Sequence, residues 1–99
     1  PCALVQSFTA KELTMNTYIY ESDDGHGWVQ VPIAELKKLG IAAQISNYSY
    51  RKGANAWLEE DCDMTLFHRA KEAIGETPEY IERSVNGDSP VRGYARFCA

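Results

Sequence analysis

The chain has 99 residues, of which 44% are hydrophobic and 24% are charged, and its formal net charge is −4. A length near 100 residues predicts one domain, and the composition excludes wholesale disorder. No run approaches the roughly 20 apolar residues of a membrane helix. The balance of fourteen acids and ten bases does not suggest a protein that coats nucleic acid through bulk positive charge.

The start of the chain is interpreted as an extension ahead of the domain. Residues 1–16 form this N-terminal extension, and residues 17–99 form a single domain. Thr9 to Glu12 has the capping-box pattern of one helical turn, and Met15 fits a native start. The basic start and long apolar run of a signal peptide are missing from the first residues, so the expected location is the cytoplasm.

Three cysteines, Cys2, Cys62 and Cys98, are widely spaced in the sequence. Their spacing matches neither a zinc knuckle nor a thioredoxin-type motif. In a reducing cytoplasm they are expected to be free thiols. A disulfide between Cys2 and Cys98 is a sterically conceivable alternative, because the ends of a domain often lie close together.

The next part of the chain predicts a β-hairpin and then a short helix. Strand formers at 17–21 and 28–31 flank a turn cluster at 22–27, whose two glycines are able to take positive φ. Pro32 suits the first turn of a helix, because its missing N–H needs no partner there. Apolar residues then recur at helical spacing until Gly40, which ends the helix.

The middle of the chain predicts two strands and a longer helix. Alternation over 44–50 indicates a third strand, residues 51–55 a turn, and residues 56–59 a fourth strand. Asp61 or Asp63 is expected to cap the following helix, which ends at Gly75. Its apolar stripe consists of Leu66, Phe67, Ala70, Ala73 and Ile74.

The last quarter of the chain carries weaker patterns. Residues 80–85 predict a fifth strand, residues 86–90 a turn, and residues 91–97 an extended tail. The predicted order is ββαββα followed by this C-terminal tail. That order indicates an α+β fold, in which a small, mostly antiparallel sheet carries two helices on one face.

Several short motifs resemble those of one protein family. They are His26–Trp28, Val31–Pro32, Leu39–Ile41, Ile45–Ser46, Tyr48–Tyr50 and, most specific of all, Leu58–Asp63. Over Tyr18–Ala70 the chain thereby resembles a family of small uncharacterised proteins carried by phages, plasmids and other mobile elements. The resemblance brings no catalytic residue. It implies an accessory protein that binds and blocks host machinery, such as a defence nuclease.

Four carboxylates lie within five positions, at Glu59, Glu60, Asp61 and Asp63. Because the charges of the remaining residues sum to zero, these four acids account for the whole net charge of −4. A partner that binds the cluster is therefore expected to present a basic surface. Carboxylate oxygens also suit Mg²⁺ or Ca²⁺, but no calcium-loop pattern is present, and no metal ligand or cofactor is assigned. Solvated acids at the start of a helix are the structural alternative.

Aromatic residues are concentrated on the predicted strands, at Tyr18, Tyr20, Trp28, Tyr48, Tyr50 and Trp57. Alternation places the tyrosines of each strand on a shared face. The opposite face is then supplied by Ile19, Val29, Val31 and Ile45. The aromatic face, rimmed by Arg51 and Lys52, predicts a surface that binds a protein or stacks the bases of single-stranded nucleic acid. Core packing against the helices is the alternative.

No catalytic residues are assigned, and an enzyme is not the favoured reading. His26 between two glycines, together with the clustered carboxylates, is the candidate group for a small metal-dependent enzyme, and Cys62 and His68 are a candidate nucleophilic pair. However, on a helix the six positions from Cys62 to His68 correspond to a rotation of about 600° around the helix axis. The two side chains would therefore point about 120° apart, on different faces of the helix.

The sequence therefore predicts a non-enzymatic protein-interaction module. The resemblance makes it an accessory or host-defence inhibitor protein of a mobile element, with a host protein, such as a nucleic-acid-binding enzyme, as partner. The alternatives are a small single-stranded nucleic-acid binder and, after it, a small metal-dependent enzyme. No membrane partner is expected, and free sheet edges are compatible with a homodimer. The predicted partner-binding residues are Glu59, Glu60, Asp61, Asp63, Tyr48, Tyr50, Trp57 and Arg51.

Overall fold

The computed structural model describes residues 16–98, which begin with the predicted hairpin. Strand β1 (Thr17–Ser22) pairs antiparallel with β2 (Gly27–Pro32), and Tyr20 lies opposite Val29. The interpretations of residues 1–15 and of Cys2 lie outside the described residues.

Two helices follow, and both end at the predicted glycines. Helix α1 (Ile33–Lys38) is followed by Gly40 at φ 76°, and helix α2 (Asp63–Ala73) by Gly75 at φ 83°. In each case the amides of the glycine and of the next residue donate to carbonyls of the last turn. Only glycine adopts this left-handed conformation without strain, so the predicted helix ends are confirmed. Within residues 16–98, neither helix is both long and apolar enough to cross a membrane.

The remaining strands complete a six-stranded sheet. They are β3 (Tyr50–Lys52), β4 (Asn55–Glu59), β5 (Glu79–Ser84) and β6 (Ala95–Arg96). The sheet order is β5-β1-β2-β4-β3-β6. β5 runs parallel to β1, whereas every other neighbouring pair is antiparallel. The fold is thus α+β as predicted, but the sheet is mixed, and two strands and a 3₁₀ turn follow the ββαββα part.

Each face of the sheet carries its own apolar cluster. Both helices cover one face, here called the helix face, whose buried centre includes Val29, Val31, Leu36, Leu58 and Phe67. The other face, here called the second face, carries a smaller cluster of Trp28, Tyr50, Trp57 and Val91, with Tyr94 packed against it. This second cluster is covered by a 3₁₀ turn at Pro90–Gly93 and by β6, whereas the sequence predicted an irregular or extended tail packed on the sheet.

The predicted division of apolar side chains between the two faces is wrong. Residues directly opposite one another on paired strands share a face, and Tyr20 lies opposite Val29. Tyr18 is accordingly buried on the helix face, where its ring meets Phe67 edge-on with centroids 4.9 Å apart. The first hairpin therefore turns its tyrosines towards the helices, together with the valines that were expected to oppose them.

The predicted third strand at 44–50 is also wrong, except for its last residue. A 3₁₀ turn occupies Ala42–Gln44, and the segment after it is tied to Asp63, which is only 3% exposed. Oδ2 of Asp63 accepts hydrogen bonds from Ser46 N (3.0 Å), Ser46 Oγ (2.7 Å) and Ser49 Oγ (2.5 Å). Asp63 therefore holds this loop and does not cap α2, whose N-cap residue Cys62 makes no side-chain capping bond.

Helix α2 buries a lysine that the apolar stripe did not predict. Phe67 is buried as expected, but Ala73 and Ile74 are exposed, and Lys71 is only 2% exposed. Nζ of Lys71 donates to Glu35 (2.7 Å) and to Glu76 (2.5 Å). Burial alone would lower the pKa of Lys71, but these bonds outweigh it and raise the pKa above its ordinary 10.5.

The Lys71 ion pairs lead to a stability prediction. Lys71→Met keeps most of the side-chain volume but leaves Glu35 beneath Tyr18 without its cation, so we expect a loss of about 2–3 kcal/mol in unfolding free energy. Urea unfolding at neutral pH measures this loss. Lys37→Met, at an exposed position of α1, is the matched control and should change stability by less than about 0.5 kcal/mol. Equal effects of the two variants would contradict the assignment.

Candidate functional site

A groove of about 410 Å³ lies on the second face and is here called the aromatic groove. It is formed where the ends of β2 and β4, the loop before β3 and the C-terminal segment come together. The lining residues are His26, Trp28, Tyr48, Tyr50, Glu59, Asp61, Cys62, Arg92 and Arg96. Aromatic, acidic, basic and thiol groups therefore meet at one site.

Asp23, in the loop of the first hairpin, fixes the C-terminal side of the groove. Its carboxylate accepts from Arg92 through Nε (2.6 Å) and Nη2 (2.9 Å). It also accepts from the backbone amides of Ser89 (2.9 Å), Gly25 (3.0 Å) and His26 (3.0 Å). The Arg92 guanidinium is the largest cause that holds the pKa of Asp23 well below its ordinary 3.8, and the hydrogen bonds from these amides lower the pKa further. One carboxylate thus joins two segments that lie 69 positions apart.

The two glycines of this hairpin serve a purpose other than the predicted one. Neither Gly25 nor Gly27 takes a positive φ. A Cβ on Gly27 would lie 2.0 Å from the hydroxyl oxygen of Tyr20. Tyr20 needs that space, because its hydroxyl and the Gly27 amide both donate to Glu60, at 2.8 Å and 3.1 Å. Gly27 is therefore required for close approach.

Cations already cover the ring faces beneath the groove. The Arg92 guanidinium lies 5.3 Å from the centre of the Trp28 ring, and the Arg96 guanidinium lies 4.7 Å from that of Tyr50. Each contact is a cation–π interaction. The predicted aromatic face is thus buried under the C-terminal segment, whereas Tyr48, at 65% exposure, remains open to solvent.

Two of the four clustered acids line the groove. The Glu59 carboxylate accepts from the backbone amides of Asp61 and Cys62, both at 3.0 Å, and so shapes the turn before α2. Asp61 is exposed. The groove therefore combines negative charge from the end of β4 with positive charge from Arg92 and Arg96, and Asp23 already balances Arg92.

The other four predicted partner-binding residues lie elsewhere. Glu60 binds Tyr20 and Gly27, and Asp63 is buried beneath Ser46 and Ser49. Trp57 is buried against Tyr94, with ring centroids 4.7 Å apart. Arg51 lies over the Phe97 ring and donates to the Cys98 carbonyl at 2.9 Å. The structure therefore brings together Tyr48, Tyr50, Glu59 and Asp61 from the predicted set.

His26 and Cys62, the candidate groups for catalysis, both line the groove. The ring of His26 lies near Glu60, with Nδ1 and Oε2 3.9 Å apart. Cys62 and Cys98 are free and exposed. Among residues 16–98, no group of three or more histidines, cysteines and acids is placed to hold a metal ion.

Arg92 and Arg96 are the groove residues that the sequence prediction missed. Their signal was the alternation of arginines with aromatic residues near the C terminus, which the prediction assigned to a tail. The sequence favoured a tail packed on the sheet through Tyr94 and Phe97, and both residues do pack there. What it did not show is that Asp23 binds Arg92 and that Tyr50 pairs with Arg96 to hold this segment in place.

No family model, no curated protein and no solved structure matches this chain.

The Asp23 contacts predict a specific pH dependence. Because the pKa of Asp23 is lowered in the folded state, its charge stabilises the fold above about pH 4–5, and this contribution is lost as the pH falls further. We expect Asp23→Asn to be less stable than the wild type at pH 7, with a difference that shrinks as the pH falls from about 5 to 3. Unfolding free energies from urea titrations across this range measure the effect.

Asp24→Asn is the control for this measurement, because Asp24 is an exposed acid in the same loop. It should follow the wild type at every pH. A difference between Asp23→Asn and the wild type that stays constant with pH would contradict the role given to Asp23.

Proposed function

We propose that this protein is a non-enzymatic interaction module that binds a segment of another protein in the aromatic groove. The observation that carries the proposal is the exposed Tyr48 side chain beside a groove with charges of both signs. Tyrosine and arginine are enriched at the energetic centres of protein interfaces. A groove of this composition favours a peptide chain, whose side chains also carry both charges.

The charges of the groove support a protein partner over nucleic acid. Asp23 neutralises Arg92, and the groove lining that contains Arg96 also contains the two acids Glu59 and Asp61. Nucleic-acid binding depends on a surplus of positive charge that neutralises phosphates. The rings of Trp28 and Tyr50 are also already stacked by arginines, which leaves less room for bases.

The resemblance to small proteins of phages, plasmids and other mobile elements indicates which kind of partner the groove binds. We infer an accessory protein of a mobile element, whose partner is a host protein such as a defence enzyme. Asp61 is the exposed acid at the groove and is suited to a lysine or arginine of that partner. Arg96 is suited to a carboxylate or a main-chain carbonyl.

Tagged protein and a lysate of the natural host, with and without nuclease, test this proposal. We expect the same protein partner to be captured from both lysates. Tyr48→Ala should weaken its binding by roughly 30-fold, because central tyrosines contribute about 2 kcal/mol or more. Ile74→Ala removes another exposed apolar side chain, just after α2, and should leave the affinity unchanged. Calorimetry with the purified partner measures both.

Reversing a charge at the groove provides a second test of the proposed interface. Asp61→Lys should weaken binding most at low salt, whereas Glu72→Lys on the exposed side of α2 should not. If Tyr48→Ala and Asp61→Lys both bind the partner as tightly as the wild type does, the groove is not the interface. If nuclease treatment removes every partner, and single-stranded RNA or DNA quenches the tryptophan fluorescence, nucleic acid replaces protein as the ligand.

A further inference from the structure

In the part of the chain that the structure describes, strand β5 is the outermost strand on its side of the sheet, and its side chains are largely exposed. Its one neighbour among residues 16–98 is β1. Ile81, in the middle of the strand, is 55% exposed on the second face and lies beside Ile19. An unpaired strand edge with an exposed apolar residue at its centre is a template for pairing with another strand.

The backbone of β5 shows which residues face outward. The amides of Glu79 and Val85 donate to β1 and its flank, at 2.7 Å to Asn16 and 2.8 Å to Ser22. Successive peptide groups of a strand point to opposite sides. The N–H and C=O groups of Tyr80, Glu82 and Ser84 therefore point away from β1, towards the open edge.

We propose that two copies of this chain pair antiparallel along β5, with the two-fold axis at Ile81. In this register Ile81 lies opposite the partner's Ile81, in a pair without mutual hydrogen bonds, where side chains approach most closely. Tyr80 lies opposite the partner's Glu82, and both residues have the outward-facing groups that such a pair needs. The result is a self-complementary interface, as two-fold symmetry demands.

Charge selects this register from the symmetric alternatives. With the axis at Ile81, Glu79 lies opposite the partner's Arg83. By symmetry Arg83 lies opposite the partner's Glu79, so the interface contains two pairs of opposite charge. With the axis at Glu82, two glutamates would face each other directly, which is destabilising. With the axis at Tyr80, Ile81 would face a glutamate. The observed sequence therefore fits one register best.

Arg83 is placed to take part without giving up its own contact. It donates to the buried Glu21 through Nη2, while its side chain stays 63% exposed. A guanidinium has five N–H donors, so it can hold Glu21 and the partner's Glu79 together. The aromatic groove lies towards the opposite side of the sheet, so the dimer carries two free grooves and its formation is independent of the proposed function.

Sedimentation across a concentration series tests the dimer. We expect the wild type to form dimers, and Glu79→Arg to raise the dimer dissociation constant by roughly tenfold or more, since two attractive pairs become repulsive. Glu72→Arg, an exposed position on α2, is the matched control and should sediment as the wild type does. A wild type that stays monomeric at every concentration would overturn the proposal.

Cross-linking tests the register. In a background with Cys2, Cys62 and Cys98 replaced by serine, Ile81→Cys should form a disulfide-linked dimer on mild oxidation. Glu79→Cys alone should not, because four residues of strand, about 13 Å, separate it from the partner's Glu79. Cross-linking of both variants alike, or of Glu79→Cys only, would show that the copies meet in another way.

Discussion

The carboxylate of Asp23 is the contact on which the second face of this protein depends. In a domain of this size the two helices cover only one side of the sheet, so the chain must use its last residues to cover the other. Asp23 holds that last segment through the Ser89 amide and the Arg92 guanidinium. Burial of Trp28 and the shape of the aromatic groove both follow from that connection.

The clustered acids show how a surface-like sequence can serve the interior. Glu59 and Glu60 accept backbone amides, and Asp63 fixes a loop through two serines. Glu60 and Asp63 bind donors of the buried residues Gly27 and Ser49, and a buried donor without a partner costs more than a typical hydrogen bond returns. Asp61 is the exposed member, and it carries the charge available to a partner.

Local sequence patterns were sufficient to predict those helices and strands whose conformation depends on their own residues. The first hairpin, α1, β4 and α2 could be predicted from strand formers, helical spacing and the glycines at helix ends. The segment 44–50 has the alternation of a strand, but its serines bond to Asp63, which is remote in sequence. Burial of Lys71 likewise depends on Glu35 of α1, a partner that the residues of α2 alone do not reveal. The groove assembles from four separate segments, so the sequence identified Tyr48, Tyr50, Glu59 and Asp61 as partner-binding residues but did not show that His26, Cys62 and two arginines lie beside them.

Parallel pairing of β5 with β1 has a consequence for the order of folding. Thr17 pairs with Glu79, 62 positions later, so the sheet cannot be completed until most of the chain is available. Contacts of such long range slow folding, because the loop must be closed before they form. On the ribosome, where the chain appears from its N terminus, the hairpin and α1 can form early. Arg92 and Arg96 emerge after every other residue that lines the groove, so the groove can be completed only after the hairpin and both helices are available.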